Sequence, residues 1–405
     1  MALIVQKYGG SSVATAERIK NVANRIAQTF DKGDQVIVVV SAMGDTTDDL
    51  IKLANQITSK PHPREMDVLV STGELVSSAL LTMALHEMGY PAISLSGAQA
   101  GIKTDSNFRR ARVVKVDTER IQEELKKRQI VIVAGFQGTT EDMDVTTLGR
   151  GASDISAVAL AAALKADVCA RYTDTDGIYT ADPRVVPDAR RLTEIGYEEM
   201  LELATYGNKV MQPRAIELAE LYHIPIMVAS SFNDNPGTLI HGGVSMENRN
   251  KVRSVAFDMD VAKITVVGVP DRPGIAAAIF VPLAKAGISV DTIVQNASIN
   301  KITDLTFTVT RDQMQDALKV IKPVAKQIGA KNVASDAKLG KVSIVGSGMQ
   351  NTPGFAARMF ATLSEKGVNI ELISTSEIRI TCIVDEEKVK DAVRALHQAF
   401  EVELG

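Results

Sequence analysis

A chain of 405 residues is too long for one ordinary core, so two or three domains are expected. Its apolar share of 45% and charged share of 23% are those of a globular protein, and a net charge of −4 with no basic stripe argues against a nucleic-acid partner. No apolar run looks long enough to span a bilayer, the opening residues lack the pattern of a signal peptide, and Cys169 and Cys382 sit in apolar strand-like runs; the expectation is a cytoplasmic protein with buried, reduced thiols.

The chain opens on an apolar strand, residues 2–6, followed by Lys7-Tyr8-Gly9-Gly10-Ser11-Ser12 and then a helical pattern at 15–29 with Ile19, Val22, Ala23 and Ile26 on one face. Strand, double glycine and helix start make a phosphate cradle: the glycines let main-chain N–H groups approach an anion, and Lys7 adds a full charge. Further strands are expected at 35–40, 92–95, 130–134, 167–172 and 225–229, with helices at 75–88, 117–127, 153–164 and 213–222. Such alternation means a largely parallel sheet covered on both faces, with ligands beyond the carboxyl ends of its strands.

The connections at that edge are rich in small polar residues. They read as turns at Ser41-Ala42-Met43-Gly44, Ser71-Thr72-Gly73-Glu74 (opening a helix), Gly135-Phe136-Gln137-Gly138, Gly149-Arg150-Gly151-Ala152-Ser153-Asp154, Thr173-Asp174-Thr175-Asp176-Gly177 and Ala181-Asp182-Pro183-Arg184. Any one is ordinary turn chemistry; six on one edge are not. Residues 235–250 are polar and glycine-rich and read as the linker ending this domain.

The remainder repeats itself. Pro273-Gly274 recurs as Pro353-Gly354, and the same offset matches Ala276 with Ala356, Phe280 with Phe360, Leu283 with Leu363, Gly287 with Gly367, Val290 with Ile370 and Ile293 with Ile373. Each copy reads as strand, helix, strand, strand, helix, strand, a small sheet with helices on one face. The expected division is 1–240, a linker at 241–260, and repeats at 261–338 and 339–405.

Phosphate-binding turns imply a nucleotide, yet no Gly-x-x-x-x-Gly-Lys loop is present, and Gly149-Arg150-Gly151 lacks the third glycine of a dinucleotide fingerprint. No His/Cys cluster has metal-ligand spacing, so no protein-held metal is expected; Mg²⁺ would ride on the nucleotide phosphates. None of the five histidines falls in the glycine-rich turns, although His241 lies in the linker. A carboxylate acceptor needs no base, because its pKa of about 4 leaves it ionised at neutral pH. Arg150 could grip a carboxylate through its planar fork and Glu74 an ammonium group, a set that suits an acidic amino acid.

The turn at Lys7–Ser12, Ser41-Ala42-Met43-Gly44, Thr72-Gly73-Glu74, the run from Gly149 to Asp154, Tyr172-Thr173-Asp174-Thr175-Asp176-Gly177 and Asp182-Pro183-Arg184 together resemble those of the aspartate kinase family, over essentially the whole chain. The resemblance implies an amino-acid kinase fold followed by two ferredoxin-like ACT domains. It implies that ATP phosphorylates the side-chain carboxylate of L-aspartate to 4-phospho-L-aspartate, entering lysine, threonine, methionine and diaminopimelate synthesis. By motif, Lys7 and Asp154 would be catalytic. Lys7, Tyr8, Gly9, Gly10, Ser41, Thr173, Asp174, Tyr179, Asp182, Arg184 and Lys209 would bind ATP. Ser41, Thr47, Glu74, Arg150, Gly151 and Ser153 would bind aspartate. In the repeats, Asp271, Gly274, Ile275, Ala276 and Gln295 would meet an effector, lysine and/or threonine, with Asn369 and Ile370 closing the pocket and Thr375 on an interface strand. The resemblance also implies a homodimer or tetramer through the ACT domains, with or without a small ACT-only subunit starting near Met246. Where the family usually has a further glycine this chain has Ala152, so either that position does not need φ > 0, the favoured reading, or the substrate loop is displaced slightly. Two rivals share some of these features: another amino-acid or carbamate kinase of the same fold, and an amino-acid sensor without catalysis.

Overall fold

The computed structural model describes residues 1–149, 151–243, 252–296, 301–349 and 352–400. It divides into two compact units that do not follow chain order. Met1–Tyr179, Arg191–Ala204 and Lys209–Ser245 form the first, and Thr180–Arg190, Thr205–Asn208 and Met246–Gly405 the second.

The first unit is built on an eight-stranded sheet. In spatial order its strands are Ala92–Leu95, Ile130–Ala134, Gln35–Val40, Leu3–Tyr8, Val168–Thr173, Ile226–Ser230, Thr238–Ile240 and Glu194–Ile195. The first six are mutually parallel, and Thr238–Ile240 runs antiparallel to Ile226–Ser230. Val36, Ile37, Val38, Val39 and Val40 are all buried, successive side chains on both faces, as a sheet covered twice requires. The chain leaves Leu3–Tyr8 for Gln35–Val40 on one side, while Val168–Thr173 lies on the other. That reversal opens a crevice at the carboxyl end of the first strand, where Lys7 sits.

The α/β fold is as the sequence implied, and the expected strands recur within one or two residues, several with identical bounds. Four local readings need correction. The helix expected at 75–88 is the 25-residue helix Pro63–Glu87, so Ser71-Thr72-Gly73-Glu74 is mid-helix and not a turn. Ser71 and Thr72 donate back to the carbonyls of Val68 and Leu69, and Gly73 is required because a Cβ there would lie 2.8 Å from Ala42 Cβ. This helix is long and apolar enough to cross a membrane by composition alone, contrary to the sequence reading, but half of its most apolar window is buried within the fold. Gly135-Phe136-Gln137-Gly138 runs into the strand Gln137–Thr139, part of a small second sheet with Ile102–Thr104, Val113–Val116 and Val145–Thr147. Finally, the expected linker contains the strand Thr238–Ile240, and Ser254–Pro270 begins before residue 260.

The second unit is one antiparallel six-stranded sheet in the order Ile293–Gln295, Ile302–Val309, Ser254–Pro270, Asn332–Val345, Arg379–Asp385, Leu372–Thr375. The repeat is visible in three dimensions. Helices Ile275–Lys285 and Phe355–Glu365 are both 11 residues long and begin after Gly274 (φ 91°) and Gly354 (φ 110°). The two copies share strands: Ser254 to Asp258 pair with Lys341 to Val345 of the second copy, while Ala262 onward pairs with the first. The second copy thus takes one strand from the start of Ser254–Pro270. The strand expected at the end of the chain would fall at 401–405, outside the described residues. Ala181, Val185 and Val186 are buried in the second copy's core with Val393, Leu396 and Phe400. Arg394 Nε donates to the Val185 carbonyl at 3.0 Å, and Thr180 Oγ1 hydrogen-bonds the buried His397 ring at 2.9 Å.

Candidate active site and effector pocket

Lys7 and Arg171 are directly paired positions on neighbouring parallel strands, so both cations lie side by side. The helix Ser153–Leu164 places Asp154 in its first turn beneath them. Lys7 Nζ lies 2.8 Å from Asp154 Oδ1, and Arg171 Nε donates to Asp154 Oδ2 at 3.0 Å. Lys7 and Asp154 are buried. Burial, with Arg171 adding to it, pulls Lys7 below the ordinary lysine value against the opposing pull of Asp154. Burial raises Asp154, but Arg171 and Lys7 outweigh it and hold the carboxyl below its usual range. Two cations on one carboxylate leave the cluster with surplus positive charge, and Arg171 Nη1 is buried without a hydrogen-bond partner among the described residues. Such a cluster is built for an incoming anion. Cys169 beside it is a buried thiol pushed up to about 12 by burial, hence inert.

A cavity of about 300 Å³ lies at the same edge, lined among others by Gly10, Ser41, Thr47, Glu74, Gly151 and Ser153. Ser41 Oγ donates to Ser153 Oγ at 3.1 Å, tying two of the ligand turns together, and the Gly44 N–H donates to the Gly10 carbonyl at 3.1 Å. Gly10 admits no side chain, since a Cβ would lie 2.8 Å from the Ala42 carbonyl oxygen. Glu74 Oε1 accepts the Ala42 N–H at 3.1 Å, while Oε2 is buried without a partner. Burial pushes Glu74 up to about 7, against the Ala42 hydrogen bond and the Lys7 charge. None of the five histidines lines the cavity.

Five of the six expected aspartate-binding residues therefore meet in one cavity; the sixth, Arg150, lies outside the described residues. Gly149 (φ 96°) and Gly151 (φ 75°) take left-handed conformations, whereas Ala152 sits at φ −80°, ψ 1°, open to any residue. Of the expected nucleotide set, Gly9, Thr173 and Asp174 lie at the ends of the two central strands, while Tyr179 bridges Arg191 further along the chain. The Gly9 N–H donates to the Tyr172 carbonyl at 3.3 Å, and Thr173 Oγ1 donates to Asp174 at 3.0 Å. Tyr8 can offer a ligand only its main chain: its ring is buried against Tyr172 and its hydroxyl donates to Gln6 at 3.1 Å. Lys209 is an exposed side chain of the first unit, whereas Asp182 and Arg184 fall in the second and pair with each other at 2.7 Å.

Sequence reasoning missed Arg171, because only strand register sets it beside Lys7. It also missed Asp67, one face and seven residues before Glu74 on the long helix. The fully buried Asp67 carboxylate accepts the Arg109 N–H at 3.1 and 2.9 Å, the Thr147 N–H at 2.8 Å and the Thr147 hydroxyl at 2.8 Å. Arg214 grips the same two loops from their carbonyls, donating to Leu148 at 2.9 Å and Ala111 at 3.2 Å.

In the second unit a cavity of about 370 Å³ is lined by Pro270, Asp271, Arg272, Pro273, Gly274, Ile275, Ala276 and Gln295, uniting the effector residues expected in the first copy. Asn369, Ile370 and Thr375 do not line it. Asn369 Nδ2 donates to Glu371 at 3.1 Å, Ile370 packs on the second copy's core, and Thr375 lies on the edge strand opposite Gln295. The copies sit side by side in one sheet, so equivalent edge strands within a chain are roughly 24 Å apart, five strand spacings.

Comparison with known proteins agrees with this geometry. The amino acid kinase family model matches residues 2–230, and ACT-domain models match 263–325 and 342–400. The aspartokinase of Pseudomonas aeruginosa is 51% identical over 405 residues, covering 100% of this chain and 98% of that protein. That of Mycolicibacterium smegmatis is 50% identical, covering 99% and 96%. The chain belongs to the aspartokinase family. As an aspartokinase it is an enzyme, a phosphotransferase with ACT repeats. Escherichia coli aspartokinase III, solved in complex with aspartate and ADP, superposes with a TM-score of 0.82 at 26% identity, covering 98% of this chain and 100% of that one. The same enzyme in complex with lysine and aspartate gives 0.76 at 27% identity, covering 98% and 99%.

Proposed function

We propose that the protein transfers the γ-phosphoryl group of ATP to the side-chain carboxylate of L-aspartate, giving 4-phospho-L-aspartate for lysine, threonine and methionine synthesis in the cytoplasm. The observation that carries this reading is the surplus-cation cluster of Lys7, Arg171 and Asp154 beside a cavity holding the free Glu74 oxygen. Residues 1–240 would be the catalytic domain. Lys7 and the N–H groups of Gly9 and Gly10 offset charge on the transferring group, and Asp154 orients Lys7. Ser41, Thr47, Gly151, Ser153 and Arg150 hold aspartate. Glu74 takes its ammonium group. Main-chain groups at Tyr8, with Thr173, Asp174, Tyr179 and Lys209, bind the nucleotide, as would Asp182 and Arg184. Mg²⁺ arrives on the phosphates, keeping most of its waters. The acceptor is already ionised, so the enzyme spends no side chain on deprotonation. The direct test is aspartate-dependent ADP release with hydroxylamine trapping of the acyl phosphate. Turnover of glutamate in place of aspartate would refute the assignment.

The raised Glu74 value gives a second test. Burial raises this carboxyl to about 7, and a bound ammonium favours the ionised form. Aspartate binding should therefore release protons near pH 7 and tighten as pH rises from 6 to 8. Calorimetry in buffers of different ionisation enthalpy measures this; the Glu74→Gln enzyme should release none from this group.

The repeats at 261–338 and 339–405 would bind lysine and/or threonine at Asp271, Gly274, Ile275, Ala276 and Gln295. Asn369, Ile370 and Thr375 would be supplied by a second chain, in a homodimer or tetramer or from a small subunit starting near Met246. Inhibition follows if the effector-bound state binds aspartate less well. Titrating the rate with each amino acid singly and mixed identifies the effector; a flat response to both removes the regulatory assignment.

A further inference from the structure

An acidic ligand in the amino-acid cavity meets several carboxylates, and Arg150, proposed above to hold aspartate, is one arginine set against them. Asp45, Asp48, Asp67 and Glu74 line it, and among its described lining residues Arg109 is the one cation. Asp67 has both oxygens occupied by the Arg109 N–H and by the Thr147 N–H and hydroxyl, which stabilise its charge and leave it no role as a ligand.

Arg109 is also held in an unusual way. Its φ is 69°, a left-handed conformation that a long side chain seldom adopts. The Asp67 carboxylate fixes it by accepting its N–H with both oxygens, and Arg214 pins the carbonyl of Ala111 two residues on. Phe136, at φ 68°, is the other such residue lining the cavity. Strained backbone at a ligand site persists where surrounding contacts over-determine it. The Arg109 side chain itself is exposed, and its guanidinium has no hydrogen-bond or ion-pair partner among the described residues.

We infer that Arg109 is a specificity-determining residue whose guanidinium receives a carboxylate of the amino-acid substrate, and that Asp67 is the positioning residue that aims it. This rests on the reading of the cavity as the aspartate site. The guanidinium supplies the planar pair of donors that a carboxylate takes best, and its charge offsets the acidic lining.

The test compares steady-state constants of the unaltered enzyme with Arg109→Gly, Arg109→Lys, Asp67→Asn and the double variant. Glycine accepts the left-handed backbone without strain, so Arg109→Gly should fold at least as well as the parent. It should raise KM for L-aspartate roughly 10- to 100-fold, the loss of a charge-assisted contact, with kcat and KM for ATP within ~2-fold. Lysine should recover part of the loss. Asp67→Asn should raise KM for aspartate in the parent but add little in the Arg109→Gly background, a non-additivity that a merely structural Asp67 would not produce. An unchanged KM in Arg109→Gly, or equal increases for aspartate and ATP, would overturn the inference. Turnover of aspartate by the unaltered enzyme reads the parent assignment separately. Were it absent, calorimetric binding of succinate would decide for Arg109: weaker binding by the glycine variant supports it, and equal or no binding by both enzymes overturns it.

Discussion

An enzyme with alanine in place of Lys7 should phosphorylate aspartate at least ~10²-fold more slowly, the scale of removing one donor from a preorganised anion site. The loss should fall on kcat, with little change in KM for aspartate, because Glu74, Ser41 and Ser153 are untouched. Folding should survive. Asp154 keeps its 3.0 Å hydrogen bond from Arg171, so no buried charge is left alone. Single-turnover rates and thermal melts of the two proteins measure both halves. A variant that turns over as fast as the parent would take Lys7 out of the chemistry and leave Arg171 as the principal cation.

The largest effect on stability is expected at Asp154. Its replacement by alanine leaves Lys7 and Arg171 buried side by side with no counter-charge between them. Breaking a buried ion pair from one side costs about 3–5 kcal/mol, a large share of the stability of most domains. Urea unfolding of the parent and Asp154→Ala enzymes reads this directly, and a difference under ~1 kcal/mol would show that water or rearrangement relieves the cluster. The pH dependence has a definite sign. Arg171 and Lys7 depress the folded-state value of Asp154, against burial, so its stabilisation is present above the unfolded value of 3.8 and is lost as pH falls through the lower folded value. The alanine variant lacks that increment, so the gap between the two proteins should narrow only in strong acid. The same substitution removes the group that opposes the downward shift of Lys7, so any residual activity should improve as pH falls.

The architecture was readable because its cause is local. Apolar runs such as Gln35–Val40 and Ile130–Ala134 can be nothing but doubly covered strands, and Ser153–Leu164 and Pro213–Tyr222 announce both of their ends. The site was readable where glycines and a charge fall in one stretch, as at Lys7 and Gly9-Gly10. It was hidden where function depends on register or on distance along a helix. Arg171 gains its meaning from lying opposite Lys7, which only strand pairing decides. Glu74 was seen but set at a helix start, because Gly73 looks like a breaker until the approach of Ala42 is known. Asp67 was lost with that missing stretch of helix. In the repeats, the matched spacing foretold two equal helices, but not that Ser254–Pro270 would serve both copies.

That Ala181, Val185 and Val186 complete the second repeat's core has a consequence for anyone dividing the gene. A free C-terminal fragment beginning near Met246 would carry every described strand of its sheet yet leave a greasy socket where those three side chains belong. Each missing valine forfeits roughly 1.5–3 kcal/mol of burial. Such a fragment, the small subunit considered above, would have to cover that socket by other means, for instance against a second chain.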